Sequence, residues 1–162
     1  MDLLVLRHAI AHDMETSDFN RALTKEGHQQ AKTMAKFCRQ IALLPDLVLC
    51  SPLVRARETA EDFVEAAKLG VNHLQKVAFL SCGMTPALAC AELSAYAKLE
   101  RLMIVGHEPD LSGLIGHLVG RTGYAAVKMS KATLAVVRCT RLQPGGGELI
   151  GHYPAATIRR LF

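Results

Sequence analysis

Hydrophobic positions along this chain fall into two rhythms. Leu3-Leu4-Val5-Leu6, Leu47-Val48-Leu49-Cys50 and Leu102-Met103-Ile104-Val105 are short, unbroken apolar runs bounded by polar residues. Runs this short, bounded in this way, predict strands covered on both faces. Elsewhere the apolar residues recur at helical spacing. Ala31, Met34, Ala35, Cys38, Ile41 and Ala42 form one such stripe, and Ala56, Ala60, Phe63, Val64 and Ala67 a second. Leu111, Leu114, Ile115 and Leu118 form a third, and each stripe predicts an amphipathic helix. Thr24 is placed to cap the first helix, with Glu26 in the turn where the dipole favours an acid, and Pro45-Asp46 to end it. Ser51-Pro52 predicts the start of the second helix and Gly70 its stop. Residues 76–80 read as a weaker strand, Thr85-Pro86 as the start of a helix to about Lys98, and Gly120 as the end of the helix that follows.

The last third has a different texture. Residues 133–139 and 148–153 read as strands joined by the turn Gln143-Pro144-Gly145-Gly146-Gly147. Residues 158–162, basic and apolar, fit a short helix or a tail. Strands alternating with helices predict an α/β fold. The expected form is a three-layer sandwich: a largely parallel central sheet flanked by helices, with a C-terminal β-hairpin on one side. No repeat or low-complexity stretch divides the 162 residues. One domain, residues 1–162, is expected, long enough to bury a sizeable core.

Composition narrows the function classes. Half the residues are hydrophobic and 21% are charged, with a net charge of +4. The lysines and arginines are scattered, so this balance favours anionic ligands only weakly. No Lys/Arg block exists and aromatics make up 5%, which counts against a nucleic-acid surface. The N-terminal apolar run is too short for a signal peptide and is interrupted by Arg7 and His8. No run approaches membrane-spanning length, so no membrane partner is expected. Cys38, Cys50, Cys82, Cys90 and Cys139 are odd in number and widely spaced, which predicts free buried thiols in a reducing cytoplasm.

The chemistry gathers at strand ends. In an open α/β sheet, ligands bind at the carboxyl edge of the strands. The first strand delivers Arg7 and His8 there, and the second delivers Ser51, with Arg55 one turn into its helix. The strand at residues 102–105 delivers His107, just before another helix. If these strands are neighbours, two arginines, two histidines and two helix N-termini face one crevice, an oxyanion site that suits phosphate. A neutral imidazole in such a cradle can attack phosphorus, and water can later remove the phosphoryl group. The arginines would depress the histidine pKa and stabilise charge on the equatorial oxygens. A polar loop, residues 12–21, holds Asp13, Glu15, Asp18 and Arg21 beside the first strand. Other schemes fail on spacing. Cys50 is wrongly placed for a cysteine phosphatase, and His107-Glu108-x-x-Leu111 lacks the second histidine of a zinc protease.

Leu6-Arg7-His8-Ala9, Ser51-Pro52-Leu53-Val54-Arg55-Ala56-Arg57-Glu58-Thr59-Ala60 and Val105-Gly106-His107-Glu108-Pro109 resemble the three motifs of the histidine phosphatase superfamily. They occur in the right order over residues 1 to about 120. The short length and the segment Arg21-Ala22-Leu23-Thr24-x-x-Gly27 look most like the SixA-type phosphohistidine phosphatase branch. The resemblance implies that His8 is the nucleophile, transiently phosphorylated. It implies that Arg7, Arg55 and His107 hold the phosphoryl oxygens and that Arg21 reaches in from its loop. Arg57 is expected on a solvated face. No metal or cofactor is expected, since no cluster has ligand spacing and arginine already supplies positive charge.

Two departures from the family pattern matter. Ala9 stands where glycine is usual, so the loop there cannot need a strongly positive φ. Many members carry a Glu or Asp after the third strand as proton donor, whereas residues 78–91 contain no carboxylate and Glu92 falls within a predicted helix. An alkoxide leaving group needs such a donor, worth roughly 10²–10⁴-fold in rate. Imidazole, with a pKa near neutrality, leaves with little help. The absence favours P–N over P–O cleavage, and the SixA-type branch lacks the same donor. Asp18 and Glu108 are the candidate substitutes. The expected function is a cytoplasmic protein phosphohistidine phosphatase whose partner is a phosphotransfer domain or phosphocarrier. The alternatives are a small-molecule phosphomonoesterase or mutase, and a catalytically weak phosphohistidine-binding module.

Overall fold

In a computed structural model, which describes residues 1–13, 17–120 and 126–162, the apolar runs lie side by side in one sheet. Strands β1 (Asp2–Arg7), β2 (Leu47–Cys50), β3 (Leu74–Lys76) and β4 (Arg101–Gly106) run parallel. Antiparallel β5 (Leu134–Cys139) and β6 (Gly147–Tyr153) complete the sheet, in the order β3-β2-β4-β1-β5-β6. The three strands that carry the candidate residues are therefore neighbours. Leu6 pairs with Val105 and Val105 with Cys50, so β1, β4 and β2 end level with one another.

Helices cover both faces, because the strand side chains alternate between them. Leu3, Val5, Leu49, Leu102 and Ile104 pack with α3 (Pro86–Leu93) and α4 (Asp110–Val119). Leu4, Leu6, Val48, Met103 and Val105 pack with α1 (Lys25–Gln40), α2 (Val54–Ala67) and Ile158 of α5 (Ala155–Ile158). All ten strand residues are fully buried, each contributing roughly 1.5–3 kcal/mol. The architecture is the three-layer α/β sandwich expected, with the hairpin at one side.

Several boundaries differ from the sequence reading. The second helix starts at Val54 with Leu53 at its cap, because the Ser51 hydroxyl is engaged elsewhere. It ends at Lys68, whose φ of 60° lets the backbone close on Glu65 and Val64, while Gly70 is extended. The first helix ends at Gln40 and turns at Ala42, φ 55°, which leaves Ile41 44% exposed and off the packed face. Residues 78–80 form a 3₁₀ turn after a strand that ends at Lys76, and α3 gives way at Ser94 to another. Cys82 is exposed, unlike the other four thiols. Glu15 lies outside the described residues.

The stretch between β1 and α1 is pinned from both sides. The Ala9 N–H donates to Thr59 Oγ1 at 3.0 Å, and the Leu23 N–H to Glu58 Oε2 at 2.7 Å. Thr24 caps α1 through Gly27 N–H and sends its own N–H to the Ile10 carbonyl at 3.0 Å. Gly27 is required there: a Cβ on it would stand 2.0 Å from the Ile10 oxygen.

Candidate active site

His8 follows β1 directly and is 3% exposed. Its backbone is tied to β4 by donation from His8 N–H to the Gly106 carbonyl at 3.1 Å. Its Nδ1 lies 2.8 Å from the Ala9 carbonyl. A carbonyl can only accept, so Nδ1 carries the proton and Nε2 keeps its lone pair. Facing Nε2 at 3.2 Å is Nε of Arg55, itself 4% exposed. Arg55 is further held by Asp18, whose carbonyl accepts from Nη1 at 2.6 Å and whose carboxylate accepts from Nη2 at 2.9 Å.

His107, 2% exposed, lies beside His8 with ring centroids 5.3 Å apart. Its Nε2 is 2.8 Å from Ser51 Oγ, and its Nδ1 is buried with no partner among the described residues. Arg7 donates from Nη1 to the Met129 carbonyl at 2.8 Å, and its buried Nε is also unpartnered among them. Arg21 does not touch His8. It donates to the His12 carbonyl at 2.8 Å and to the Asp18 carboxylate at 3.0 Å, one step removed from Arg55. Arg57 lies half-exposed toward Glu61, away from this cluster.

Electrostatics keep both imidazoles neutral. Burial, then Lys131 and other neighbouring cationic or ring groups, lowers the His8 pKa to about 2. Burial and then Arg55 lower that of His107 to about 4. Neutral His8 is the form that can attack, and the cations around it are the form that can receive a phosphoryl dianion. Buried donors without an acceptor, at His107 and Arg7, suit incoming oxygens.

A family model described as "Histidine phosphatase superfamily (branch 1)" matches residues 3–84, just over half of the chain. The chain belongs to the histidine phosphatase superfamily. It is 36% identical over 128 residues to an uncharacterized protein of Picosynechococcus sp., covering 76% of this chain and 77% of that one. It is 26% identical to phosphohistidine phosphatase SixA of Escherichia coli (strain K12), covering 91% of this chain and 89% of that one. The structure of protein histidine phosphatase SixA complexed with tungstate superposes with a TM-score of 0.88 at 22% identity, covering 98% and 99% of the two chains. Membership of this superfamily makes the protein a phosphatase, and its fold is similar to that of SixA.

Within this histidine phosphatase site, one close residue escaped the sequence reading. Lys131 Nζ stands 3.2 Å from His8 Nε2. Because β5 is antiparallel to β1, its N-terminal end lies at the edge where β1 finishes, and the turn before it reaches the site. The signal available was topological: a residue just before an antiparallel neighbour of the first strand. Glu58 and Thr59 were read only as parts of a motif, and their hydrogen bonds position the loop that follows His8.

The candidate substitutes for the missing proton donor are otherwise occupied. Hydrogen bonds from Arg21 and then Arg55 hold the Asp18 carboxyl below the ordinary carboxylate range, so it is ionised at neutral pH. Glu108 Oε1 accepts from the Ser112 N–H at 3.0 Å, inside the first turn of α4. Cys82 Sγ lies 3.7 Å from Arg55, and burial raises its thiol pKa. No helix among the described residues is long and apolar enough to cross a membrane, and they contain no cluster of three His, Cys, Asp or Glu residues that could hold a metal ion.

Proposed function

We propose that this SixA-like phosphatase hydrolyses phosphohistidine on a protein, with His8 as nucleophile. The observation that carries the reading is the unprotonated Nε2 of His8 facing cations, with the Asp18 carboxylate bound to Arg55 held ionised. In the first step the Nε2 lone pair bonds to phosphorus and the P–N bond to a substrate imidazole protonated on its other ring nitrogen breaks, its electron pair leaving with that ring as neutral imidazole. In the second, a water oxygen bonds to phosphorus, the P–Nε2 bond returns its pair to His8, and phosphate departs. Arg7, Arg55 and His107 bind the phosphoryl oxygens, and Arg21 acts through Asp18 and Arg55. Positive side chains supply the charge stabilisation, so the scheme requires no metal or cofactor.

The similarity to a relative named for phosphohistidine supports a P–N substrate. A phosphotransfer domain or phosphocarrier is the partner proposed, met in a reducing cytoplasm that keeps five thiols free. The whole chain acts as one catalytic domain. Imidazole and a simple alcohol differ by about eight units in leaving-group pKa, so without a donor even a shallow dependence separates their rates by orders of magnitude.

The test is turnover of a phosphohistidine-bearing protein beside a panel of aryl, seryl and sugar phosphates. Phosphohistidine and activated aryl esters should be hydrolysed, with seryl and sugar phosphates slower by orders of magnitude. His8→Ala should abolish turnover on all of them with an unchanged circular-dichroism spectrum. Rates independent of leaving group would favour the monoesterase alternative instead. A stable phospho-His8 without turnover would make the protein a binding module.

A further inference from the structure

We infer that Lys131 is a catalytic residue: its ammonium, held against the lone pair that attacks phosphorus, binds an equatorial oxygen of the phosphoryl group in transit. The inference rests on the His8 reading above and assigns a cation that the family motifs do not contain.

Placement is the first argument. Lys131 lies in a tight turn closed by the Thr133 N–H on the Ser130 carbonyl at 3.0 Å, with Ala132 left-handed at φ 53°. That turn is stitched to the nucleophile's own backbone. The Ala132 N–H donates to the His8 carbonyl at 3.2 Å, and the Arg7 N–H to the Thr133 carbonyl at 3.1 Å. Met129, two residues earlier in the chain, accepts from the Arg7 guanidinium at 2.8 Å. Lys131 is thus built onto the Arg7-His8 dipeptide from across the sheet, and its Nζ reaches the reactive nitrogen at 3.2 Å.

Chemistry is the second. When Nε2 bonds to phosphorus, a donor formerly on that lone pair meets the equatorial oxygens that surround the new bond. Nucleophile and leaving atom lie roughly in line on opposite sides of phosphorus. An ammonium on the nucleophile's side is placed to neutralise equatorial charge and not to protonate the leaving atom. The electrostatic surroundings fit a charge kept for a ligand. Lys131 faces Arg7 from β1, Arg21 from the loop and Arg55 from α2, together with the neutral rings of His8 and His107. Among the described residues Asp18 supplies a carboxylate to the group. Burial, then these cations, push its pKa down to about 8. A half-buried lysine among three arginines weakens the fold, and a phosphoryl dianion relieves that repulsion.

The experiment compares wild type, Lys131→Met and Lys131→Arg. The Met variant should lose roughly 10²-fold in kcat/KM, by one factor across the whole leaving-group panel. Arg should recover most of that loss. Inorganic phosphate should bind more weakly to the Met variant in calorimetry, while its Tm rises by a few degrees as the cationic crowd thins. Wild-type kcat/KM should fall as pH rises through about 8, and the Met variant should lack that limb. Unchanged kcat/KM and phosphate affinity in the Met variant would overturn the inference, as would a loss that grows with leaving-group pKa. Wild type inactive on every substrate would instead sink the His8 reading, and phosphate calorimetry still reads the ammonium's contact in that case.

Discussion

Ser51 Oγ accepts the Leu53 N–H at 3.3 Å and lies 2.8 Å from His107 Nε2. If the hydroxyl donates to Nε2, its hydrogen is used and the ring proton sits on Nδ1, the buried nitrogen without a partner among the described residues. In the opposite tautomer the fully buried hydroxyl hydrogen would lack an acceptor among the described residues. The first arrangement leaves a single free donor, unpartnered among the described residues and ready for a phosphoryl oxygen. Ser51→Ala should therefore release the ring to the other tautomer and lower kcat about tenfold, short of the roughly 10²–10³-fold expected when a preorganised donor is removed outright. Ring ¹⁵N shifts of His107 would report the proton on Nδ1 in wild type and a redistribution in the variant. Identical shifts and unchanged kcat would show that Ser51 does not set the tautomer. The serine was read from sequence as a helix cap, which residue preference alone suggested. Its partner is 56 residues away, and no local pattern contains that contact.

At the scale of elements, strands and helix faces were legible and the joints between them were not. The apolar runs at residues 3–6, 47–50 and 102–105 became β1, β2 and β4 because burial on both faces admits no polar interruption. That order put Arg7, His8, Ser51 and His107 at one edge, and Arg55 followed because it lies within the first turn of α2. Lys131 was invisible because strand pairing, not periodicity, carries it there. The loop of residues 12–21 was read as polar, with Arg21 reaching into the site and Asp18 a candidate proton donor, and Asp18 instead grips Arg55 and Arg21 at once. That grip bears on the donor question. An ionised Asp18 is an acceptor only, so Asp18→Asn should leave the dependence of log rate on leaving-group pKa unchanged. With one negative charge gone from the arginines, the inhibition constant of inorganic phosphate should drop several-fold. A steeper leaving-group slope in the variant would make Asp18 the proton donor after all.

At the scale of the whole molecule, a site built for an anion is a burden on the fold when protons are abundant. His8 and His107 are both buried and neutral, with pKa values lowered to about 2 and about 4 from an ordinary 6.5. In the unfolded chain both titrate near 6.5. Between that pH and the folded values the unfolded state binds more protons, so unfolding free energy rises with pH across this window and falls on acidification. Two such groups give a slope approaching two protons, or about 2.7 kcal/mol per pH unit. The carboxylates act lower down. Asp2, hydrogen-bonded by Arg138, and Asp18 have lowered pKa values, and their contribution fades only as pH drops below about 3.8. The interval from pH 4 to 6.5 thus isolates the two histidines from these carboxylates. Urea midpoints measured across it should climb steadily in wild type and level off above 6.5. His8→Ala should remove about one proton from the slope, whatever offset the lost packing adds, because an alanine has nothing to titrate. A variant with the wild-type slope would mean that His8 is not held neutral, and the nucleophile's resting state would have to be assigned afresh.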